Sequence, residues 1–254
     1  MVQRRRTHVK TDFGIKMGIR VKIIQTLLDI HERIFFYPKL RAFYQKQKEI
    51  QQPTILDVGA NKGQSIDFFL SLFPNARIFA FEPNPVLFHK LQQKYQGNPL
   101  IHLVNKGVSN QNGQLELKET VTDETSTFED LNFDSKYLER KTKILGVNKG
   151  QLIRKSYWVD VIRLSDFIQE QGIKDIHILK IDTEGHEYNC LEGLFSGKVP
   201  HIDFIQLEHH NDDMYLQAKE QRPEILLKEK GFPTYEVIGH GFGNLDEHIY
   251  AHAL

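Results

Sequence analysis

Near the start of the chain, Ile19, Ile23, Leu27, Ile30 and Ile34 recur at helical spacing, and Leu28 widens the stripe. Pro38 lacks an N–H and predicts a break there, with a second helix over 40–50. After Pro53 the pattern changes. Short, continuous apolar runs at 54–58, 77–81, 101–105, 157–161, 176–181 and 204–208 alternate with segments of helical period at 62–73, 86–95, 164–171, 188–195 and 224–230. Runs without polar alternation are what a parallel sheet covered on both faces requires. The order predicts an α/β fold with a doubly wound, Rossmann-like sheet. A further run at 114–118 and a helix-free terminal pair at 235–238 and 248–252 complete it, the pair joined through Gly239, Gly241 and Gly243 in an antiparallel turn. Residues 1–52 read as an N-terminal helical arm and 53–254 as one α/β domain. Segment 119–157 is the least regular. It is expected as either a substrate-facing lid or a pair of short strands, because a structureless loop of that length is unusual.

In such a sheet ligands lie beyond the carboxyl ends of the strands. Asp57, Glu82, Asn105, Asp182 and Glu208 all stand at the ends of apolar runs, which predicts one shared site. The first run opens into Gly59-Ala60-Asn61-Lys62-Gly63, and the second ends at Glu82, 19 residues after Gly63. That spacing sets a carboxylate beside a ribose whose other end lies over the glycine loop. An NAD fingerprint needs three glycines. Aligned on Gly59, the second and third positions hold Asn61 and Gln64, too bulky for a backbone to touch a pyrophosphate. The loop suits a nucleoside ligand without phosphates, and S-adenosyl-L-methionine (SAM) is one.

A second constellation follows the run at 176–181: Lys180-Ile181-Asp182-Thr183-Glu184-Gly185. Together with Asp57-Val58-Gly59-Ala60-Asn61-Lys62-Gly63, Phe81-Glu82-Pro83, Val161-Ile162-Arg163-Leu164-Ser165-Asp166-Phe167 and Gln206-Leu207-Glu208, it makes the chain closely resemble the FkbM-type methyltransferases over roughly residues 54–210. The terminal pair is similar to the end of the seven-stranded sheet of SAM-dependent methyltransferases, whose last strand runs antiparallel. The resemblance implies SAM-dependent O-methylation of a hydroxyl on a sugar, a glycan or a secondary metabolite.

Position assigns the roles. Glu82 accepts the ribose hydroxyls, since a carboxylate has lone pairs for both. Gly59 and Gly63 admit the methionine portion, Asp57 orders the loop or receives the ammonium, and Asn61 bonds at the same end. Asn105 stands where an adenine edge is read. Asp182 and Glu184 face the transferring methyl. The acceptor hydroxyl needs a base, and His186 is the first choice because imidazole titrates near neutrality; Glu184, His209 and His210 are alternatives. No metal is assigned, although a divalent ion on Asp182, Glu184 and Glu208 is the less favoured route. Against the enzyme stand a non-catalytic SAM-binding scaffold and an NAD-dependent oxidoreductase.

Composition narrows the partners. The 254 residues carry no formal net charge, which argues against nucleic acid. Residues 1–22 hold seven basic side chains against Asp12 alone, so that segment is either a solvated terminus or a docking surface for an acidic partner or an anionic membrane. No apolar run has the length of a membrane span, no signal peptide follows the basic start, and the single cysteine, Cys190, sits in a helical apolar pattern as expected of core. Together these point to the cytoplasm. Tyr157 and Trp158 are expected to pack, and Phe35-Phe36-Tyr37 to form helix-face core or a subunit contact.

Overall fold

The computed structural model describes residues 22–24, 26–28, 30–47, 51–121, 126–216, 221–241 and 245–252. The basic segment before Lys22, and Gly243, lie outside the described residues. A π-helical turn, Glu32–Phe36, runs into α1 (Tyr37–Gln45). Pro38 therefore does not separate two helices: it occupies the first turn of α1, where the π-helical turn passes into α-helix. The core face of this region is Phe36, Leu40, Phe43 and Tyr44, whereas Ile23, Leu27, Ile30 and Ile34 are exposed.

The main domain then follows as β1 (Thr54–Val58), α2 (Gln64–Leu72), β2 (Arg77–Phe81), α3 (Pro85–Lys94) and β3 (Ile101–Val104). Next come β4 (Gly107–Val108), β5 (Gly113–Thr120), β6 (Ser126–Thr127), α4 (Lys136–Leu145) and β7 (Ile153–Ile162). The chain finishes with α5 (Leu164–Glu170), β8 (Asp175–Ile181), α6 (Glu187–Phe195), β9 (His201–His210), α7 (Pro223–Glu229), β10 (Thr234–Gly239) and β11 (Leu245–Ala251). Seven strands form one sheet in the order β10-β11-β9-β8-β1-β2-β3. The five strands from β9 to the β3 edge are parallel, and β11 runs antiparallel to both β9 and β10. This is the expected doubly wound sheet with an antiparallel last strand.

Successive strand residues point to opposite faces, and the core divides accordingly. Leu56, Val58, Phe79, Phe81, Leu179 and Ile181 pack on one face with residues of α5, α6 and α7. Ile55, Ile78, Ala80 and Ile178 pack on the other with residues of α1, α2 and α3. The end of the N-terminal segment is thus built into the sheet's core, and the Tyr44 hydroxyl donates to Gln206 Oε1 on β9 (2.7 Å). Cys190 is buried in the first cluster, as expected.

The run at 157–161 does not join this sheet. It belongs to β7 of a second, four-stranded sheet in the order β4-β7-β5-β6. Within it Trp158 is 66% exposed, so it does not pack. The segment 119–157 is neither a bare lid nor two strands alone, because it contains α4. That helix buries Leu138, Thr142 and Leu145, begins at Ser135, whose hydroxyl accepts the Leu138 N–H, and stops at Gly146.

Candidate active site

The strand tips are tied together by their own backbone. Gly59 and Ala60 N–H both donate to Phe81 O, Asp182 N–H to Val58 O, and Glu82 N–H to Val104 O. A cavity of about 890 Å³ opens over these tips, lined by Asn61, Glu82, Asp182, Glu184, Glu208 and His210 among others. That is a usual size for a small-molecule site. Arg140, Lys141 and Ile144 of α4, with Leu27 and Leu28, wall its far side.

Glu82 lies just past β2 and is buried. The Asn61 N–H donates to its Oε2 and the Asn84 N–H to its Oε1, both at 2.8 Å. Each oxygen keeps a second lone pair. Burial pushes the carboxyl up, these two N–H bonds pull it back, and it settles at about 7. Asn61 (φ 48°) and Glu184 (φ 54°) are the two non-glycine residues with positive φ among the described residues, and both line the cavity. Strained backbone of this kind gathers at ligand sites.

Behind the loop sits a buried charge group that sequence reasoning passed over as part of the site. Lys180 Nζ lies 3.5 Å from Asp57 Oδ1 and 3.1 Å from Asp182 Oδ2, and donates to Gly59 O (3.3 Å). The signal was present in the sequence: a lysine inside an apolar run. The structure puts Asp57 and Lys180 in register across β1 and β8. Burial works against the ammonium, but Asp182 and Asp57 outweigh it and hold Lys180 above the ordinary lysine range. Asp57 is fully buried and takes a hydrogen bond from Ser65 Oγ (2.5 Å). Burial raises its pKa. Gly63 begins α2 in the left-handed conformation.

At the other end, Glu184, Glu208 and His210 converge. His210 Nε2 is 3.2 Å from Glu208 Oε2 and 3.9 Å from Glu184 Oε2. The Tyr215 hydroxyl donates to Glu184 Oε2 (2.8 Å). Burial raises both glutamates, Glu208 further through the charge of Asp182. For His210 burial opposes protonation, and the neighbouring carboxylates overcome it.

The chain matches the methyltransferase FkbM domain over residues 57–234. It belongs to that family. The chain is 26% identical over 192 residues to 2-O-methyltransferase NoeI of Sinorhizobium fredii, covering 75% of each protein. It is 28% identical over 173 residues to 31-O-demethyl-FK506 methyltransferase FkbM of Streptomyces tacrolimicus, covering 63% of this chain and 66% of that one. Among solved structures, methyltransferase FkbM from Methylobacillus flagellatus superposes with a TM-score of 0.49 at 14% identity, over 79% of this chain and 44% of that one. Membership of that methyltransferase family implies SAM.

Two expectations for this FkbM-domain chain are corrected by geometry. His186 is not positioned as the base. It is 5% exposed and does not line the cavity. Its Nδ1 is 2.5 Å from Glu129 Oε1 and its Nε2 3.0 Å from Ser109 Oγ, so both ring nitrogens are occupied. Ser109 and Glu129 are buried as well, which makes the trio an internal brace between the small sheet and the start of α6. His186→Ala is expected to cost about 1–3 kcal/mol of stability by stranding the Glu129 carboxylate, measurable by urea denaturation. Asn105, expected to read an adenine edge, does not line the cavity either. Its Nδ2 donates to Glu82 O (2.8 Å) and Pro83 O (3.3 Å), bracing the loop after β2. His209 and His210 project to opposite faces of β9. His209 stacks on His248 (4.5 Å between ring centroids), and only His210 of the pair lines the cavity. Phe36 and Tyr37, expected as helix-face core or a subunit contact, also line the cavity.

Among the described residues, no helix is long and apolar enough to cross a membrane.

Proposed function

We propose that this chain is a SAM-dependent O-methyltransferase acting on a hydroxyl of a sugar, a glycan or a small secondary metabolite. The observation that carries this reading is the Glu82 carboxylate. It is buried at the tip of β2, oriented by two N–H donors, and opens onto the same cavity as Asp182 and Glu184 at the tip of β8. The relatives' names, a 2-O-methyltransferase and a 31-O-demethyl-FK506 methyltransferase, favour oxygen as the acceptor atom.

The residues present fit SAM. Glu82 has lone pairs for the ribose hydroxyls. Asp57 Oδ1 is buried without a hydrogen-bond partner among the described residues, and Lys180 at 3.5 Å balances its charge behind the loop. Gly59, Asn61, Glu82 and Asp182, which line the cavity, hold the cofactor in this reading, with Asp57 and Gly63 behind them ordering the loop. When bound, SAM supplies an electrophilic methyl group on a sulfonium. The protein's share is orientation and proton removal. Lys180 fixes Asp182 against the Gly59 loop, so the two halves of the site cannot shift independently. Positioning of this kind contributes much of a transfer rate. A hydroxyl attacks only as its proton leaves. With His186 sealed away, Glu184 and Glu208, cavity carboxylates in contact with His210, take that proton in this reading.

The first test is calorimetric titration with SAM, its demethylated product and NAD, followed by labelled methyl transfer to a panel of hydroxylated acceptors. Absence of binding by SAM ends this reading; NAD binding in its place restores the oxidoreductase alternative. Glu82→Ala is expected to weaken SAM binding by about 1–3 kcal/mol through lost charge-assisted hydrogen bonds. Acid should do the same to the wild type. Ribose hydroxyls donate to the ionised carboxylate, which titrates at about 7 in the free protein. Affinity should therefore fall about tenfold between pH 7.5 and 6, with proton release on binding below neutrality. A flat profile, or an unchanged affinity in Glu82→Ala, removes Glu82 from the site.

A further inference from the structure

We infer that Glu184, Glu208 and His210 form a binding site for one divalent cation at the acceptor end of the cavity. Three observations carry it. First, one donor atom from each residue lies within 4.8 Å of the other two. They come from two different elements: Glu184 from the loop after β8, and Glu208 and His210 from one face of β9, two residues apart. Second, the His210 side chain is 9% exposed, yet its Nε2 has no hydrogen-bond partner among the described residues. It faces two carboxylates at 3.2 and 3.9 Å without the alignment of an N–H bond to either. A buried nitrogen aimed between two carboxylates presents its lone pair to a cation between them once that cation displaces its proton. Third, the ligands are held from behind. The Tyr215 hydroxyl donates to Glu184 Oε2, and its ring meets His210 edge-on, with centroids 5.4 Å apart at 88°. The Thr127 hydroxyl donates to Glu184 O (2.7 Å), fixing the loop in its left-handed turn. Such outer partners orient metal ligands.

The donor set differs from the one spacing alone offered. Asp182 is already committed to Lys180 through Oδ2 at 3.1 Å, and His210 takes its place. Two carboxylates and one imidazole suit a first-row ion such as Mn²⁺ better than an ion that prefers oxygen alone. Three protein ligands also leave coordination positions for an outside oxygen. An acceptor hydroxyl bound there would become a stronger acid, so its proton could pass to solvent water rather than to a glutamate engaged on the ion. That chemical use rests on the methyl-transfer reading; the binding of the ion does not.

The test uses the full chain, stripped with a chelator and titrated with Mn²⁺ alone, with free ion followed by electron paramagnetic resonance. About one ion per chain is expected, with hyperfine coupling from an imidazole nitrogen. Glu208→Gln and His210→Gln should each weaken binding at least about tenfold, and Tyr215→Phe about tenfold through loss of the outer partner. The nitrogen coupling is read on the wild type, so it holds even if a variant fails to fold. No bound Mn²⁺, bound Mn²⁺ without imidazole coupling, or wild-type affinity in both ligand variants overturns the site. SAM titration of the same samples separates the two readings. Mn²⁺ binding without SAM binding leaves the cation site and removes the methyl transfer; SAM binding without Mn²⁺ does the reverse.

Discussion

Gly59→Ala is expected to lower stability by about 3–5 kcal/mol, from backbone strain added to a core clash. Gly59 has φ 84°, and a Cβ placed on it would lie 1.9 Å from the carbonyl oxygen of Asp182. That oxygen belongs to backbone, so no side chain can turn away to make room. Relief requires the tips of β1 and β8 to separate. Those tips are joined by the Asp182 N–H to Val58 O bond and by Lys180, so the cost spreads into the buried charge group. Gly97→Ala is the control. It has nearly the same φ, 81°, with nothing within 4 Å of an added Cβ. It should lose only the left-handed strain, about 1–2 kcal/mol. Urea denaturation of the two variants separates strain from collision. Equal losses would mean that the loop and the β8 tip are not in contact. In the same experiment, Gly59→Ala should lose SAM binding and Gly97→Ala should keep it.

How much of this was readable in the chain depends on whether the signal is local. The central strands are continuous apolar runs because both faces of the sheet are covered, and Leu56 and Ile55 report opposite faces of one buried layer. The carboxylates at strand tips were readable for the same reason, since a charge closing an apolar run has little choice but the end of the sheet. Helix α4 was missed although its local signals exist: Leu138, Thr142 and Leu145 fall at helical spacing between Ser135 and Gly146. The surrounding threonines and lysines mask that spacing. The fate of His186 was not readable at all. Ser109 and Glu129, its partners, lie 77 and 57 residues away, and nothing near His186 announces them. Pairing of 157–161 with β5 rather than with the main sheet is likewise a long-range choice. In the sequence nothing separates His210 from its neighbour His209; only the direction of β9 sends one into the cavity and the other against His248.

Lys180→Met should be the most informative charge deletion, because it leaves the side-chain volume nearly intact and removes only the cation. Asp57 is fully buried, and Asp182 is bonded to the same ammonium. Breaking a buried ion group from one side costs about 3–5 kcal/mol, because a charge is left uncompensated. The pH dependence identifies which charge. The folded pKa of Lys180 lies above its unfolded 10.5, so its contribution is fully present below that value and is lost only as pH rises through the folded pKa. Between pH 5 and 8 the lysine itself adds no slope. Asp57 behaves in the opposite sense to a surface carboxylate. Its folded pKa is raised above 3.8, Lys180 is one of the groups holding it down, and removing that cation sends it higher still. Above 3.8 the folded variant then binds more protons than the unfolded chain, so stability falls as pH rises and recovers as pH drops. The deficit relative to wild type should shrink from pH 8 to pH 5 in urea denaturation series. Adding Asp57→Asn to Lys180→Met should remove much of the deficit at pH 8, since the stranded charge is gone. A deficit that is constant with pH, or a double variant no more stable than the single one, would show that Lys180 works through packing, and that the electrostatic link between the β1 loop and Asp182 does not exist.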